Sequence, residues 1–335
     1  MQVRRLMVLG GIAGCLVSAG CGSSNDNKSD TAAASGSAAS GSSGKSYSVG
    51  LVGFSSADLT SQQALTSYVA EAKKKGWKTI VIDAQGSPDK AIGGIQNLVQ
   101  KKVDAIFTSV FPAESMAGGV LAAKAAKIPV FSLAGGTGPG VESNWNAGKL
   151  DGDQIAAELV KDAGGKGAAL ALGYTPGLPC RLREAALKSA IKPTTIQLSR
   201  QEIKIPGAVE SGTTFTQAWL AKHPKNSGPL AVWGCNGDAA LGATAALRQA
   251  GRTDVKVYGI NGQPAELKNI QATTQTATAW LDATKAGVEM VAATPKMVAN
   301  GVDSPPLEEN IPSVLVNQQN VADFVAQHPD AAKTQ

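Results

Sequence analysis

The chain has 335 residues, 43% apolar and 17% charged, enough for two ordinary domains with real cores and too apolar for overall disorder. Aromatics are only 4% while glycine reaches 38 residues, a mix that suits helices packed closely on sheets rather than an aromatic-filled barrel. The net charge of +5 falls to +3, 27 basic against 24 acidic residues, once residues 1–45 are set aside, too weak and dispersed a bias for a nucleic-acid partner.

The chain opens Met1-Gln2-Val3-Arg4-Arg5, followed by a mostly apolar stretch to Gly20 and then Cys21. A basic start, a short apolar run and small residues before a cut site read as an export signal, too short and glycine-rich for a membrane span. Val17-Ser18-Ala19-Gly20-Cys21 resembles the bacterial lipobox, in which the cysteine is acylated and becomes the new N-terminus. Residues 1–20 are therefore expected to be a lipoprotein signal, Cys21 the lipidation site, and the Ser-, Gly- and Ala-rich residues 21–45 a disordered tether. Cys15 leaves with the signal, so the body keeps Cys180 and Cys235. In an oxidising exported compartment such a pair can form a disulfide, and its spacing does not resemble a zinc site.

The body alternates strand and helix. Strands are expected over 48–54, 79–82, 105–108 and 129–133, with helices over 60–75, from Ser87 onward with an apolar face through Val99, and over 115–126 between them. Ser87-Pro88 is a helix start, with serine as cap and proline in the first turn. A glycine-rich loop, 134–140, interrupts the series. A second series follows: helix 148–163, strand 168–172, helix 181–190, an ambiguous stretch 194–206, helix 214–222, strand 230–233, helix 238–250 and strand 256–260. It ends with helix 264–270, strand 276–280, helix 284–299, strand 313–316 and a short helix over 321–326. Alternation of this kind predicts an α/β fold of two doubly wound parallel-sheet lobes, with a ligand site in the cleft between them.

Enzyme signatures fail. No phosphate-binding loop is present, and the glycine-rich loop has the wrong spacing for a dinucleotide fingerprint. Gly53-Phe54-Ser55-Ser56-Ala57 lacks the last glycine of a nucleophile elbow. The only histidines, His223 and His328, each precede a proline at an expected helix end, which disfavours a triad or a His-based metal site. Ser87-Pro88-Asp89-Lys90 matches a Ser-x-x-Lys string, but helix capping accounts for it. No catalytic residues, cofactor or metal are expected.

The order of these pieces resembles the type I periplasmic binding proteins, the ribose- and galactose-binding group. Asn236-Gly237-Asp238-Ala239-Ala240-Leu241-Gly242-Ala243 is the most specific string, similar to the family's Asn-Asp-x-x-Ala-Leu-Gly-Ala segment. Gly259-Ile260-Asn261-Gly262 resembles its Gly-Phe-Asp-Gly turn, and Lys127-Ile128-Pro129-Val130-Phe131 its fourth strand. The resemblance implies the two-lobe hinged fold, with residues 46–143 and about 281–312 in one lobe and 144–280 and about 313–328 in the other. Crossings are expected near Ser143, Trp280 and Leu315. It also implies a solute-binding role for an ABC importer: a monomer that captures a small polar solute, sugar or sugar-like, and delivers it to membrane permease subunits. The expected location is extracytoplasmic, lipid-anchored at the bacterial membrane. The rival reading is a receptor lipoprotein that signals to a membrane sensor.

Ligand positions carry over one at a time. Asn236 matches the family's ligand asparagine, and Arg183 the arginine of its Arg-x-Arg segment, with Arg181 next if the register slips. Asn261 stands where the family usually has aspartate. The first cleft loop offers Ser55, Ser56 and Asp58 in place of an asparagine and paired aromatics, and Ala134-Gly135 replaces an Asp-Arg pair. Phe111, Trp145 and Trp280 are the expected compensating aromatics. On this map Cys180 and Cys235 both lie in strand-to-helix connections of the second lobe, and a disulfide between them is expected to fix the cleft wall.

Overall fold

The computed structural model describes residues 45–303 and 305–333. The signal, Cys21 and nearly all of the tether lie outside the described residues.

The first sheet is built from β1 (Ser48–Gly53), β2 (Lys78–Asp83), β3 (Ala105–Ser109), β4 (Val130–Leu133), β5 (Val141–Asn146) and β11 (Leu307–Asn310), in the spatial order β11-β5-β4-β3-β1-β2. The second contains β6 (Lys166–Gly173), β7 (Thr195–Glu202), β8 (Leu230–Gly234), β9 (Val255–Asn261), β10 (Ala277–Leu281) and β12 (Ser313–Asn317), in the order β12-β10-β9-β8-β6-β7. All neighbours pair in parallel except β10 and β12, which run antiparallel. Each lobe is thus a doubly wound sheet whose order reverses beside its first strand.

Helices cover both faces of the first sheet. On β1, Val49 and Leu51 pack into the cluster that holds Leu65 and Tyr68 of α1 (Leu59–Lys74) and Met290 of α9 (Ala283–Asn300), while Val52 joins Ile95 and Leu98 of α2 (Pro88–Gln100). This alternation is the period-two geometry of a strand buried on both sides. The expected start of α2 is present: Ser87 Oγ accepts from Lys90 N at 3.4 Å, and Pro88 opens the helix. α9 follows a second-lobe strand yet belongs to the first lobe. Its Gly287 lets it approach α1 so closely that a Cβ there would stand 2.2 Å from Ala64 O.

The second lobe repeats the plan. α4 (Leu150–Ala163) packs beside α5 (Leu178–Ile191), α6 (Ala208–Leu220) beside α7 (Gly237–Gln249), and α8 (Pro264–Gln271) beside α10 (Val321–Gln327). The short α3 (Ala117–Ala125) completes the first lobe beside α2.

The chain passes between lobes at residues 147–149, at Asp282 and at residues 311–312. These points stand a few residues from the expected Ser143, Trp280 and Leu315. The first shift has a plain cause. Val141-Glu142-Ser143-Asn144-Trp145-Asn146 carries too little apolar alternation to announce a strand, yet it pairs between β4 and β11 and extends the first lobe to Asn146. β11 itself, Leu-Glu-Glu-Asn, is an edge strand with three exposed residues. The ambiguous stretch 194–206 holds β7, the opposite edge of the second sheet. Among the described residues no helix is long and apolar enough to cross a membrane.

Candidate functional site

In open α/β sheets, ligands bind beyond the carboxyl ends of the strands where the strand order reverses. Here those points are the ends of β1 and β3 in the first lobe and of β6 and β8 in the second, and they face one another. A cavity of about 570 Å³, counting its open mouth, lies between them.

Phe54 directly follows β1 and Tyr174 directly follows β6, so the two rings hold equivalent places in the two lobes. They meet edge to face with centroids 5.9 Å apart and both line the cavity. Among the described residues three polar contacts also join the lobes. Leu178 N donates to Val110 O at 3.0 Å, Tyr174 Oη donates to Gly86 O at 3.3 Å, and Arg181 pairs with Glu114 at 3.2 Å. Val110 adopts φ 68°, a strained setting for a β-branched residue, and this turns its carbonyl toward the second lobe.

Arg183 reaches the cavity from α5, on the buried helix face shared with Cys180, Leu187 and Ile191. It is 3% exposed. Its Nε donates to Asp151 Oδ2 at 2.8 Å, Nη1 to Cys235 O at 2.8 Å and Nη2 to Asn261 Oδ1 at 3.1 Å. Asp151 is 1% exposed, and its other oxygen accepts from Gly148 N at 2.7 Å, in the first crossing. Asn236 caps α7 by accepting from Ala239 N at 3.0 Å through Oδ1. Asn236 is therefore both a helix cap and a lining residue. Its Nδ2, and that of Asn261, have no partner among the described residues. Cys180 and Cys235 are bonded, with Sγ atoms 2.09 Å and Cα atoms 5.1 Å apart. The bond ties the start of α5, which carries Arg183, to the residue before Asn236.

Asp58, at the residue before α1 in the first lobe, lines the cavity. It accepts from Ser61 Oγ in a short hydrogen bond. Burial raises its pKa, opposed by the Ser61 bond and by the positive charge of Arg183. Asp238, in the first turn of α7, is pushed up to about 6, chiefly by burial and then by the negative charge of Asp58. Glu266, fully buried beneath α7, is pushed up to about 7 by burial. It accepts from Gln263 N at 3.0 Å and from Gln275 Nε2 at 2.9 Å.

The structure gathers Asp58, Arg183, Asn236 and Asn261 around one space. The other expected positions fall elsewhere. Ser55 is buried beneath the first cleft loop, its Oγ accepting from Ala57 N at 3.2 Å, and Ser56 is exposed beside Asp83. Arg181 lies at the rim, in its pair with Glu114. Phe111 packs behind the wall, edge-on to Phe54 at 5.0 Å. Trp145 points into the first lobe's core, 6.0 Å from Phe107, because its place on β5 turns it toward the α1 and α9 face. Trp280 packs against Phe324 and His328 of the second lobe, at 5.2 and 4.9 Å. None of these three aromatics lines the cavity. The rings that do, Phe54 and Tyr174, had one sequence signal: each is the residue after the first strand of its lobe. Asp151, which holds Arg183, had none. Among the described residues no group of three or more His, Cys, Asp or Glu is placed to hold a metal.

The chain matches the family model described as the periplasmic binding protein domain over residues 50–301. It is 29% identical over 204 residues to the ribose import binding protein of Bacillus subtilis, a match covering 60% of this chain and 65% of that protein. The chain thus aligns with just under two thirds of the length of that relative. To the D-apiose import binding protein of Paraburkholderia graminis it is 26% identical over 261 residues, covering 75% of this chain and 81% of that protein. An ABC transporter solute binding protein from Agrobacterium vitis with bound allitol superposes with a TM-score of 0.78 at 26% identity, covering 84% of this chain and 99% of that one. These relatives are binding proteins, and the two-lobe fold is theirs. The chain belongs to the periplasmic binding protein family.

Proposed function

We propose that the protein is the solute-binding component of an ABC-type importer, capturing a small sugar or polyol between its lobes and delivering it to permease subunits. The observation that carries this reading is the cavity at the facing switch points, where the unpartnered amides of Asn236 and Asn261 stand beside Asp58 and Arg183. Such a set offers donors and acceptors to hydroxyl groups, and the rings of Phe54 and Tyr174 cover the apolar side of a small ligand. Relatives named for ribose and D-apiose import, and one holding allitol, support the class. In this reading the solute enters an open form, the lobes close about the three crossings, and the closed form docks on the permease. The protein works as a monomer outside the cytoplasm, held to the membrane through Cys21 and the tether over 21–45.

A thermal-shift screen over pentoses, hexoses and polyols tests the reading, because a ligand that binds only the native state raises the melting point. At a hundred times its dissociation constant the gain is about 2.7 kcal/mol. Asn236→Ala and Asn261→Ala are expected to weaken any hit at least tenfold. Hits that both variants bind normally would place the site elsewhere.

A further inference from the structure

The cavity is polar on one side and aliphatic on the other. Toward the crossings it is lined by Leu133, Ala134, Ala147, Leu281, Ala283 and Ile311. Sheet order puts these six together. β4, β5 and β11 are consecutive at that side of the first sheet, and β10 lies next to the edge strand β12 of the second. Leu133 ends β4 and Ala134 follows it, while Ala147 follows β5. Leu281 and Ala283 flank the second crossing, and Ile311 follows β11. Each of the three crossings therefore gives the cavity an aliphatic side chain. The backbone donors there are already engaged: Ala134 N with Trp145 O at 2.8 Å, Gly135 N with Ser132 Oγ at 2.8 Å, Ile311 N with Asn146 O at 3.0 Å and Asp282 N with Pro312 O at 3.2 Å. No polar side chain fits at Gly135 either, where a Cβ would stand 2.4 Å from Phe111 O.

The polar groups stand apart from this wall. Asn261 ends β9, one strand in from β10, and Asn236 follows β8, two strands in. Thr60 lines the cavity from the first turn of α1, and among the described residues its hydroxyl has no partner. A hydroxyl set against the aliphatic wall gives up its water and gains no hydrogen bond. A water left there does no better, since an ordered water needs about two to four polar partners. We propose that the solute ends in a methyl group where the parent sugar has a hydroxymethyl, the methyl seated against the wall of the three crossings and the hydroxyls turned toward Asn236, Asn261 and Thr60. The assignment rests on the sugar-or-polyol reading and narrows it to terminal deoxy sugars and deoxy polyols. The parent compound is discriminated against because binding buries its terminal hydroxyl without a partner.

The test uses the full chain and matched probes that differ by one oxygen: rhamnose against mannose, fucose against galactose, and rhamnitol against mannitol, each in the D and L series. Titration calorimetry is expected to show the deoxy member of at least one pair binding about tenfold tighter or more, the scale of one buried hydroxyl left without a partner. Ile311→Thr and Ala283→Ser each place a hydroxyl on the wall. Checked for native circular dichroism, they are expected to bring that preference within about threefold. If Ile311→Thr loses its native spectrum, the smaller change Ala283→Ser decides alone. Parent compounds binding as tightly as their deoxy partners in every pair would overturn the methyl assignment and leave the sugar-or-polyol reading standing. A deoxy preference untouched by the substitutions would overturn the seat at the crossings. Silence from every probe, deoxy and parent alike, would overturn both readings.

Discussion

Arg183 and Asp151 form a buried ion pair, Nε to Oδ2 at 2.8 Å, and Asp151 carries the link on to the backbone of Gly148 in the first crossing. The cation of the cleft is therefore fastened to the first connection between the lobes. Removing one partner strands the other charge in the interior, a loss of about 3–5 kcal/mol. Arg183→Ala is expected to fall in that range by urea unfolding. The double variant Arg183→Met with Asp151→Leu is expected to be less destabilised than Arg183→Ala alone. A double variant as unstable as the sum of the singles would show that the pair is not coupled.

The Cys180–Cys235 bond closes a loop of 55 residues in sequence separation. On the chain-entropy account a loop of this length contributes about 4 kcal/mol by restricting the unfolded chain. Peptide mapping without reductant is expected to recover residues 180 and 235 in one linked pair. Cys180→Ser with Cys235→Ser is expected to unfold at lower urea and to weaken solute binding, because the bond holds the wall that carries Arg183 and Asn236. Unchanged stability after reduction would remove the bond from the account.

Glu266 makes stability depend on pH. Its folded pKa, about 7, is above its ordinary 4.5, so the fold prefers the neutral carboxyl. The contribution is fully present below pH 4.5 and is lost as the pH rises through 7. The amount is roughly 3 kcal/mol. Asp238, raised to about 6, acts in the same direction over a lower window. Glu266→Gln is expected to flatten the melting profile between pH 5 and pH 8 by about this amount, since a glutamine amide can also meet the unpartnered Gln275 Oε1. A variant with the unaltered pH profile would assign the dependence to other groups.

The lobes are joined by contacts of unequal weight. Arg181 and Glu114 are exposed at 40% and 70%, so Glu114→Gln is expected to change binding by less than about 1 kcal/mol. Tyr174 is largely buried, its pKa pushed up to about 12 by the loss of water, and its hydroxyl reaches Gly86 O in the other lobe. Tyr174→Phe is expected to weaken binding by about 1 kcal/mol and to enlarge the ligand-free radius of gyration in small-angle scattering. A larger effect from Glu114→Gln than from Tyr174→Phe would reverse this ranking.

Local chemistry made the α/β order, the helix starts and the Asn236 cap legible. These depend on apolar periodicity, glycine stops and short polar side chains within a few residues of one another. The same reasoning missed β5 and β11, because polar strands near a sheet edge need a neighbour to declare them. It placed Arg183, Asn236 and Asn261 together through a family likeness, and their shared cavity is a feature of the folded chain.

By itself the sequence determined that 335 residues make two strand-helix series with few aromatics to spare for a cleft. Only the tertiary structure decided which rings line the cavity. Trp145, Trp280 and Phe111 are drawn into cores or behind the cavity wall because strand alternation and sheet pairing set their side, whereas Phe54 and Tyr174 meet across the lobes. Only the fold, too, set Asp151 against Arg183. Electrostatic partners 32 or more residues apart are fixed by where the helices begin on two facing sheets, and no local pattern encodes that distance.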